Sequence, residues 1–414
     1  MAINDTYEAA RAQYAELGID TEEALRKLAK IPVSLHCWQG DDVRGFENGG
    51  QDLSGGIQAT GNYPGRARTP EELRDDLDLV FSLVPGCHRL NLHASYAVFS
   101  DAAADRDQLQ PEHFQFWMDY AVKHGYGLDF NPTFFSHPMV KDNLTLSSPD
   151  EDVRSFWVRH GLACRRIAAA MAEATGLDAL CNIWIPDGFK DYPTDRLSPR
   201  LQLKRSLDEI LAEPLAHVID SLESKTFGIG LEAFTVGSSD FYLSYCGKHE
   251  NVYPLLDNGH FHPEETVSEK LSALLAFYDY VPLHVTRPMH WDSDHVVLLQ
   301  DEIVEIAKEI VRNDALTRVR IGLDYFDASI NRVAAWVVGA RAIRQALLIA
   351  LLEPDAKELQ RDGNFTKMLI HSEQMKSAPW GAVWNEFCRR SNVPQDEAWY
   401  AVVEQYEKDV LSKR

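Results

Sequence analysis

The sequence predicts an α/β fold, a (β/α)8 TIM barrel with an N-terminal helical arm and a C-terminal helical extension. Three observations point there. Short apolar runs bounded by polar, Gly or Pro residues alternate with helix-patterned stretches, as in a parallel sheet wrapped by helices. The runs number eight, the count that closes a barrel. No Gly-x-Gly-x-x-Gly opens any of the helical stretches, which disfavours an open doubly wound sheet.

The elements follow in order. A first helix begins near Asp5 and stops at Leu17-Gly18, a glycine C-cap signal. A second starts at Asp20 with Glu23 three residues on, a capping-box pattern. Strands are predicted near Val33–Trp38, Arg89–His93, Leu128–Asn131, Leu180–Ile185, Gly228–Phe234, Val252–Asp257, Pro282–Thr286 and Val319–Asp324. Helices are predicted over Glu71–Leu83, Glu112–Lys123, Asp152–Ala174, Arg200–Glu223, Glu264–Tyr280, His295–Arg312 and Ala328–Leu352. Such a barrel needs roughly 250 residues, so the surplus divides the chain into an arm (1–30), the barrel (31–353) and a helical extension (354–414). A Gly- and Asn-rich loop, Gly40 to Pro70, also interrupts the first unit.

Composition narrows the partners. The 414 residues carry 41 Lys+Arg against 63 Asp+Glu, a formal net charge of −22, which argues against nucleic acid and anionic membranes. The most apolar stretch, Val333–Ala340, lies between Arg332 and Arg341, far short of the roughly 20 residues of a membrane span. The N-terminus has no basic segment followed by an apolar one, so no signal peptide is expected. Six scattered cysteines without a Cys-x-x-Cys suit reduced thiols in the cytoplasm.

Barrel chemistry sits at the C-terminal ends of strands. There the predicted strands place His93, Asp187, Glu232, Asp257, His284 and Asp324. Three motifs add to them: Asp257, His260 and His262 in LDNGHFHP; Asp292 and Asp294 in RPMHWDSDH; Asp324 and Asp327 in IGLDYFD. Carboxylates crowded at one mouth repel unless cations neutralise them. Mixed with imidazole they suit Mn²⁺, Co²⁺ or Zn²⁺ better than Ca²⁺, and seven candidate ligands are enough for two ions. Plainer readings stand beside these. His284 fits a core histidine as well as a ligand, and Asp292 and Asp294 fit a helix cap before His295. His262 reads as structural, and Asp327 as the N-cap of the helix from Ala328. Trp38 and Trp184 fit core packing as well as walls of a site.

Longer segments carry a resemblance. PVSLHCWQGDDV (Pro32–Val43), GGIQATGNYPG (Gly55–Gly65), RLNLHASY (Arg89–Tyr96), NIWIPDGFKD (Asn182–Asp191), LDNGHFHP (Leu256–Pro263), WDSDHVVLL (Trp291–Leu299) and GLDYFDASINR (Gly322–Arg332) closely resemble the L-rhamnose isomerases. The resemblance implies a xylose-isomerase-like barrel, a homotetramer, and reversible conversion of L-rhamnose to L-rhamnulose, the first step of L-rhamnose breakdown. It implies two divalent ions per subunit, Mn²⁺ or a similar metal, and a hydride shift assisted by a metal-bound water. Catalytic-metal ligands fall on His260, Asp292 and Asp294, the last two also serving catalysis. The other ligands fall on Glu232, Asp257, His284 and Asp324, with Asp257 bridging. His93 is a candidate acid–base group for ring opening, with a purely structural role equally open. Val43, Leu53 and Ile57 are candidates for a pocket around the sugar methyl, and Trp184 for a wall. Two departures stand out: Phe234 sits two residues after Glu232, where related barrel isomerases carry a Lys, with Lys190 as a possible substitute; and Ser95 stands where a larger apolar residue is expected. Another two-metal barrel enzyme (a different aldose isomerase, an epimerase or a hydrolase) is the rival reading.

Overall fold

The structure is a computed structural model that describes residues 3–47, 53–100, 102–262 and 264–414. Residues 48–52 of the Gly-rich loop and Pro263 of the LDNGHFHP motif lie outside the described residues. Among the described residues, eight parallel strands close into a barrel. They are β1 (Pro32–His36), β2 (Cys87–His93), β3 (Gly127–Asn131), β4 (Ala179–Ile183), β5 (Val218–Glu223), β6 (Val252–Asp257), β7 (Val281–Val285) and β8 (Val319–Leu323). β1 pairs with β2 on one side and β8 on the other, which closes the ring.

Alternation along each strand sends every second side chain inward. Much of the inward set is polar: Ser34 and His36 on β1, Arg89, Asn91 and His93 on β2, Asp129 and Asn131 on β3, Ser221 and Glu223 on β5. The outward set, such as Val33, Leu35, Leu90 and Leu92, is apolar and buried under the helices. Most of the apolar core therefore lies between sheet and helices, while the lumen combines these polar groups with a small apolar cluster of Leu180, Ile219, Tyr253 and Leu255.

At the lower end of the lumen Arg89 clasps Asp129. Nε donates to Oδ2 at 2.9 Å and Nη2 to Oδ1 at 2.7 Å, while Ser34 Oγ donates to Oδ2 at 2.6 Å. Burial alone would push the Asp129 carboxyl up, but the Arg89 guanidinium outweighs it and holds the carboxyl below its usual range. Arg89→Leu would leave that carboxylate buried and unpaired. It is expected to lower unfolding free energy by about 3–5 kcal/mol, measured by urea denaturation.

The fifth strand corrects the sequence reading. The stretch predicted as one helix, Arg200–Glu223, is a helix only over Leu197–Ile210, and its end becomes β5. Two carboxylates in six residues, Asp220 and Glu223, disguise this strand. Asp220 points outward, where Arg165 of the helix Glu151–Thr175 pairs with it at 2.7 Å. Glu223 points into the lumen. The predicted strand Gly228–Phe234 is instead mostly loop. Only Phe234–Thr235 pairs, as a short antiparallel ribbon with Gly188–Phe189.

The remaining helices match in place and differ at their ends. The helix after β8 starts at Arg332 with Asn331 as its cap, its side chain accepting from Ala334 N at 2.9 Å; Asp327 instead accepts from Ser329. The helix after β7 starts at Asp301, so Asp292 and Asp294 do not cap it. Helix Arg332–Leu351 is long and apolar enough to cross a membrane by composition, yet it is buried among helices Asp301–Arg312, Pro70–Leu83 and Thr21–Leu28. In the arm, Asp20 caps the second helix by accepting from Glu22 N and Glu23 N. The first helix, Ile3–Glu16, packs on Trp380–Arg390 of the C-terminal extension, so both surplus segments sit together outside the barrel.

Candidate active site

The C-terminal ends of β5, β6, β7 and β8 bring Glu223, Asp257, His284 and Asp324 together. One ligand atom from each lies within 4.8 Å of all the others, and all four residues are buried. His284 Nδ1 sits 3.0 Å from Asp324 Oδ2 and 3.3 Å from Glu223 Oε1. Asn182, at the end of β4, donates from Nδ2 to Glu223 Oε2 at 2.6 Å, and Ser221 Oγ donates to Asn182 Oδ1 at 2.8 Å. Beside them, the loops after β6 and β7 carry His260, Asp292 and Asp294. His260 Nε2 lies 3.0 Å from Asp292 Oδ2, and its Nδ1 is 3.4 Å from Glu223 Oε1. Asp294 is half-buried, with a left-handed backbone (φ 47°), and its carbonyl accepts from Phe326 N at 3.1 Å.

Electrostatics show what the arrangement lacks. Burial and then the neighbouring carboxylates push Asp257 up to about 8. Burial and then Asp292 push Asp294 well above the usual carboxylate range. Burial would lower His260, yet the Asp257 and Asp292 carboxylates drive it up to about 10. His284 moves well up for the same reason, with Glu223 and Asp324 overcoming burial. Protons thus collect where positive charge is missing. Asp257 Oδ2, Asp292 Oδ1 and Asp324 Oδ1 are buried and have no hydrogen-bond partner among the described residues. Carboxylates plus an imidazole, crowded and partly unsatisfied, fit a divalent transition-metal ion.

Glu232 is not among them. It is exposed in the loop after β5, accepting from Gly230 N at 3.1 Å. The position assigned to it belongs to Glu223, at the true strand end. The missing lysine is resolved by the same shift. Lys225 stands two residues after Glu223, is only 6% exposed, and places Nζ 3.6 Å from Asp292 Oδ2 and 5.2 Å from the centre of the Trp184 ring. Lys190, the suggested substitute, is exposed. Asp187 is buried but saturated, accepting from Thr145 and Ser147 through backbone and hydroxyl groups. His262 is exposed.

Above the cluster opens a cleft walled by Trp38, Phe135 and Trp184 and reaching Lys225, His260 and Asp292. His93 faces it, stacked on Trp38 at 4.1 Å, with neither ring nitrogen bonded to protein. Burial, reinforced by His284 and Arg106, pushes His93 down to about 3, so its ring is neutral near pH 7. Ile57 lines this cleft, whereas Val43 and Leu53 line an adjoining cavity with Ser95; Phe135 borders both. Ser95 holds the Gly-rich loop close: its carbonyl accepts from Phe46 N at 2.8 Å, and a Cβ on Gly45 (φ 68°) would lie only 2.4 Å from that oxygen.

Sequence reasoning missed Glu223, Lys225, Asn182, His36 and Asn91. The trace of the first two in the sequence is the Glu-Ser-Lys that closes the short run from Val218.

Comparison with known proteins gives the family. The family model for L-rhamnose isomerase (RhaA) matches residues 1–414. A curated relative from Cronobacter sakazakii, named L-rhamnose isomerase, is 52% identical over 416 residues, covering 100% of this chain and 99% of the relative. Relatives of the same name from Escherichia coli O9:H4 and Pectobacterium carotovorum subsp. carotovorum are 52% and 53% identical with the same coverage. A match of this extent, together with the barrel and its cluster of buried carboxylates and imidazoles, shows that the chain belongs to the L-rhamnose isomerase family.

Proposed function

We propose that the protein is an aldose–ketose isomerase that interconverts L-rhamnose and L-rhamnulose. The observation that carries this is the buried Glu223–Asp257–His284–Asp324 cluster under a cleft, in a chain that matches the family along its full length. When bound, divalent ions would polarise the sugar oxygens as Lewis acids. Mn²⁺ is the favoured ion, with Co²⁺ or Zn²⁺ as alternatives, and two ions per subunit suit the donor set. Glu223, Asp257, His284 and Asp324 would hold one; His260, Asp292 and Asp294 would hold the other. Asp257 lies where the charges of both groups act on it, among Glu223 and Asp324 on one side and His260 and Asp292 on the other.

The net reaction moves one hydrogen between C1 and C2 and one proton between O1 and O2, so no redox partner is needed. Lys225 supplies a buried cation where negative charge builds on a sugar oxygen. Neutral His93 offers one N–H donor and one acceptor nitrogen to the sugar ring oxygen and its neighbouring hydroxyl. Trp38, Phe135 and Trp184 cover the sugar and keep bulk water off the reacting carbons. Ile57 contributes to the apolar surface for the C6 methyl, and Val43 and Leu53 reach it only across Phe135. Residues 31–353 form the catalytic barrel, with residues 1–30 and 354–414 as flanking helical segments. Exposed Phe365, Leu369 and Ile370 on the helix Phe365–Met375 support subunit contacts in a homotetramer. Six free cysteines support a reducing, cytoplasmic setting.

Incubation with 2-deuterated L-rhamnose and Mn²⁺ tests this reading. The expected product is L-rhamnulose with the deuterium retained at C1. Absence of ketose would defeat the isomerase reading, and washout of the label would replace the hydride shift with an enediol route.

A further inference from the structure

Below the Glu223–Asp257–His284–Asp324 cluster the lumen contains a small cavity with room for about one water. Its lining includes Asn91, His284 and Gly322, with Arg89 and Arg320 towards the floor. Two buried polar atoms on that lining have no partner in the protein: His284 Nε2 and Asn91 Oδ1. Both residues are essentially sealed from solvent.

The neighbouring contacts assign the donors. Asn91 Nδ2 is hydrogen-bonded to His36 Nε2 at 2.6 Å, while His36 Nδ1 approaches Asp324 Oδ1 at 3.2 Å without hydrogen-bond geometry, so its charge rather than a bond bears on the ring. If Asn91 Nδ2 donates, His36 Nε2 accepts, and the ring proton sits on Nδ1 facing the Asp324 carboxylate. The flipped amide would turn a bare His36 nitrogen onto that carboxylate, which is repulsive. So Asn91 presents its oxygen to the cavity. On His284, Nδ1 is the atom among the carboxylates, so a neutral ring serving as a ligand carries its proton on Nε2 and needs an acceptor there.

We infer that one buried water bridges His284 Nε2–H and Asn91 Oδ1, making Asn91 a positioning residue for both histidines at the cluster. Asn91 sets His36 directly and His284 through the water, and each histidine in turn orients a carboxylate or presents a ligand nitrogen. The inference rests on the divalent-ion reading of the cluster.

High-resolution diffraction of the metal-free and Mn²⁺-soaked enzyme, with Mn²⁺ titration of the full-length wild type, Asn91→Leu and Glu223→Gln, tests it. Expected are solvent density within hydrogen-bond distance of both atoms, and Mn²⁺ affinity about 10–100-fold weaker in Asn91→Leu. A dry cavity, or wild-type affinity in a folded Asn91→Leu, overturns the inference. Wild-type protein that binds no Mn²⁺ would instead overturn the metal reading, with the water still judged from the metal-free crystals. Should Asn91→Leu not fold, ¹⁵N resonances of histidine-labelled wild type decide: a His284 Nε2 that carries no proton contradicts the water bridge.

Discussion

Glu223→Gln is expected to lower kcat/KM for L-rhamnose by about 10³-fold or more, while Glu232→Gln stays within about two-fold of wild type. The glutamine keeps the side chain's shape and removes one of the charges that hold the cluster. Glu223 Oε1 faces both His284 and His260, and Oε2 accepts from Asn182 at 2.6 Å, so the loss reaches all three partners. A Lewis acid at the reacting oxygens contributes several kcal/mol to transition-state stabilisation, and about 4 kcal/mol corresponds to 10³ in rate. Glu232 is exposed in the loop after β5 and accepts from Gly230 N, so its neutralisation leaves the charges of the buried cluster in place. Steady-state kinetics of both variants, with circular dichroism to show intact folds, reads the contrast. Equal loss in the two would return the ligand role to Glu232.

Lys225→Met is expected to lower kcat by about 10²–10³-fold with a smaller change in KM. Methionine retains most of the stem that packs on Trp184 and deletes the charge beside Asp292. A donor aimed at an oxygen that gains charge acts on the transition state more than on bound sugar. A variant with raised KM and unchanged kcat would show Lys225 to be a binding contact only.

Much of the fold was legible because seven barrel strands are short apolar runs between helix patterns. The fifth was not. Val218–Glu223 carries Asp220 on its outer face and Glu223 on its inner face, so neither alternation nor apolar content marks it. Tertiary partners make it a strand: Arg165 neutralises one carboxylate, and the cluster absorbs the other. That single misplacement put Glu232 in place of Glu223 at the strand end and left Lys225, two residues after Glu223, unnoticed. Asp257, His284 and Asp324 were legible because they close or immediately follow recognisable strands. His260, Asp292 and Asp294 lie in loops, and their meeting depends on chain paths that no local pattern encodes. The polar lumen was equally hidden, since Asn91 and His36 look like ordinary strand residues until the barrel closes around them.

Removal and return of the metal tests the central claim most directly. The protein is stripped with EDTA, shown to be metal-free by elemental analysis, and assayed for ketose formation from L-rhamnose before and after addition of Mn²⁺. The expected result is no turnover in the stripped protein and recovery with Mn²⁺ in the wild type but not in Glu223→Gln. Full turnover by verified metal-free protein would contradict it.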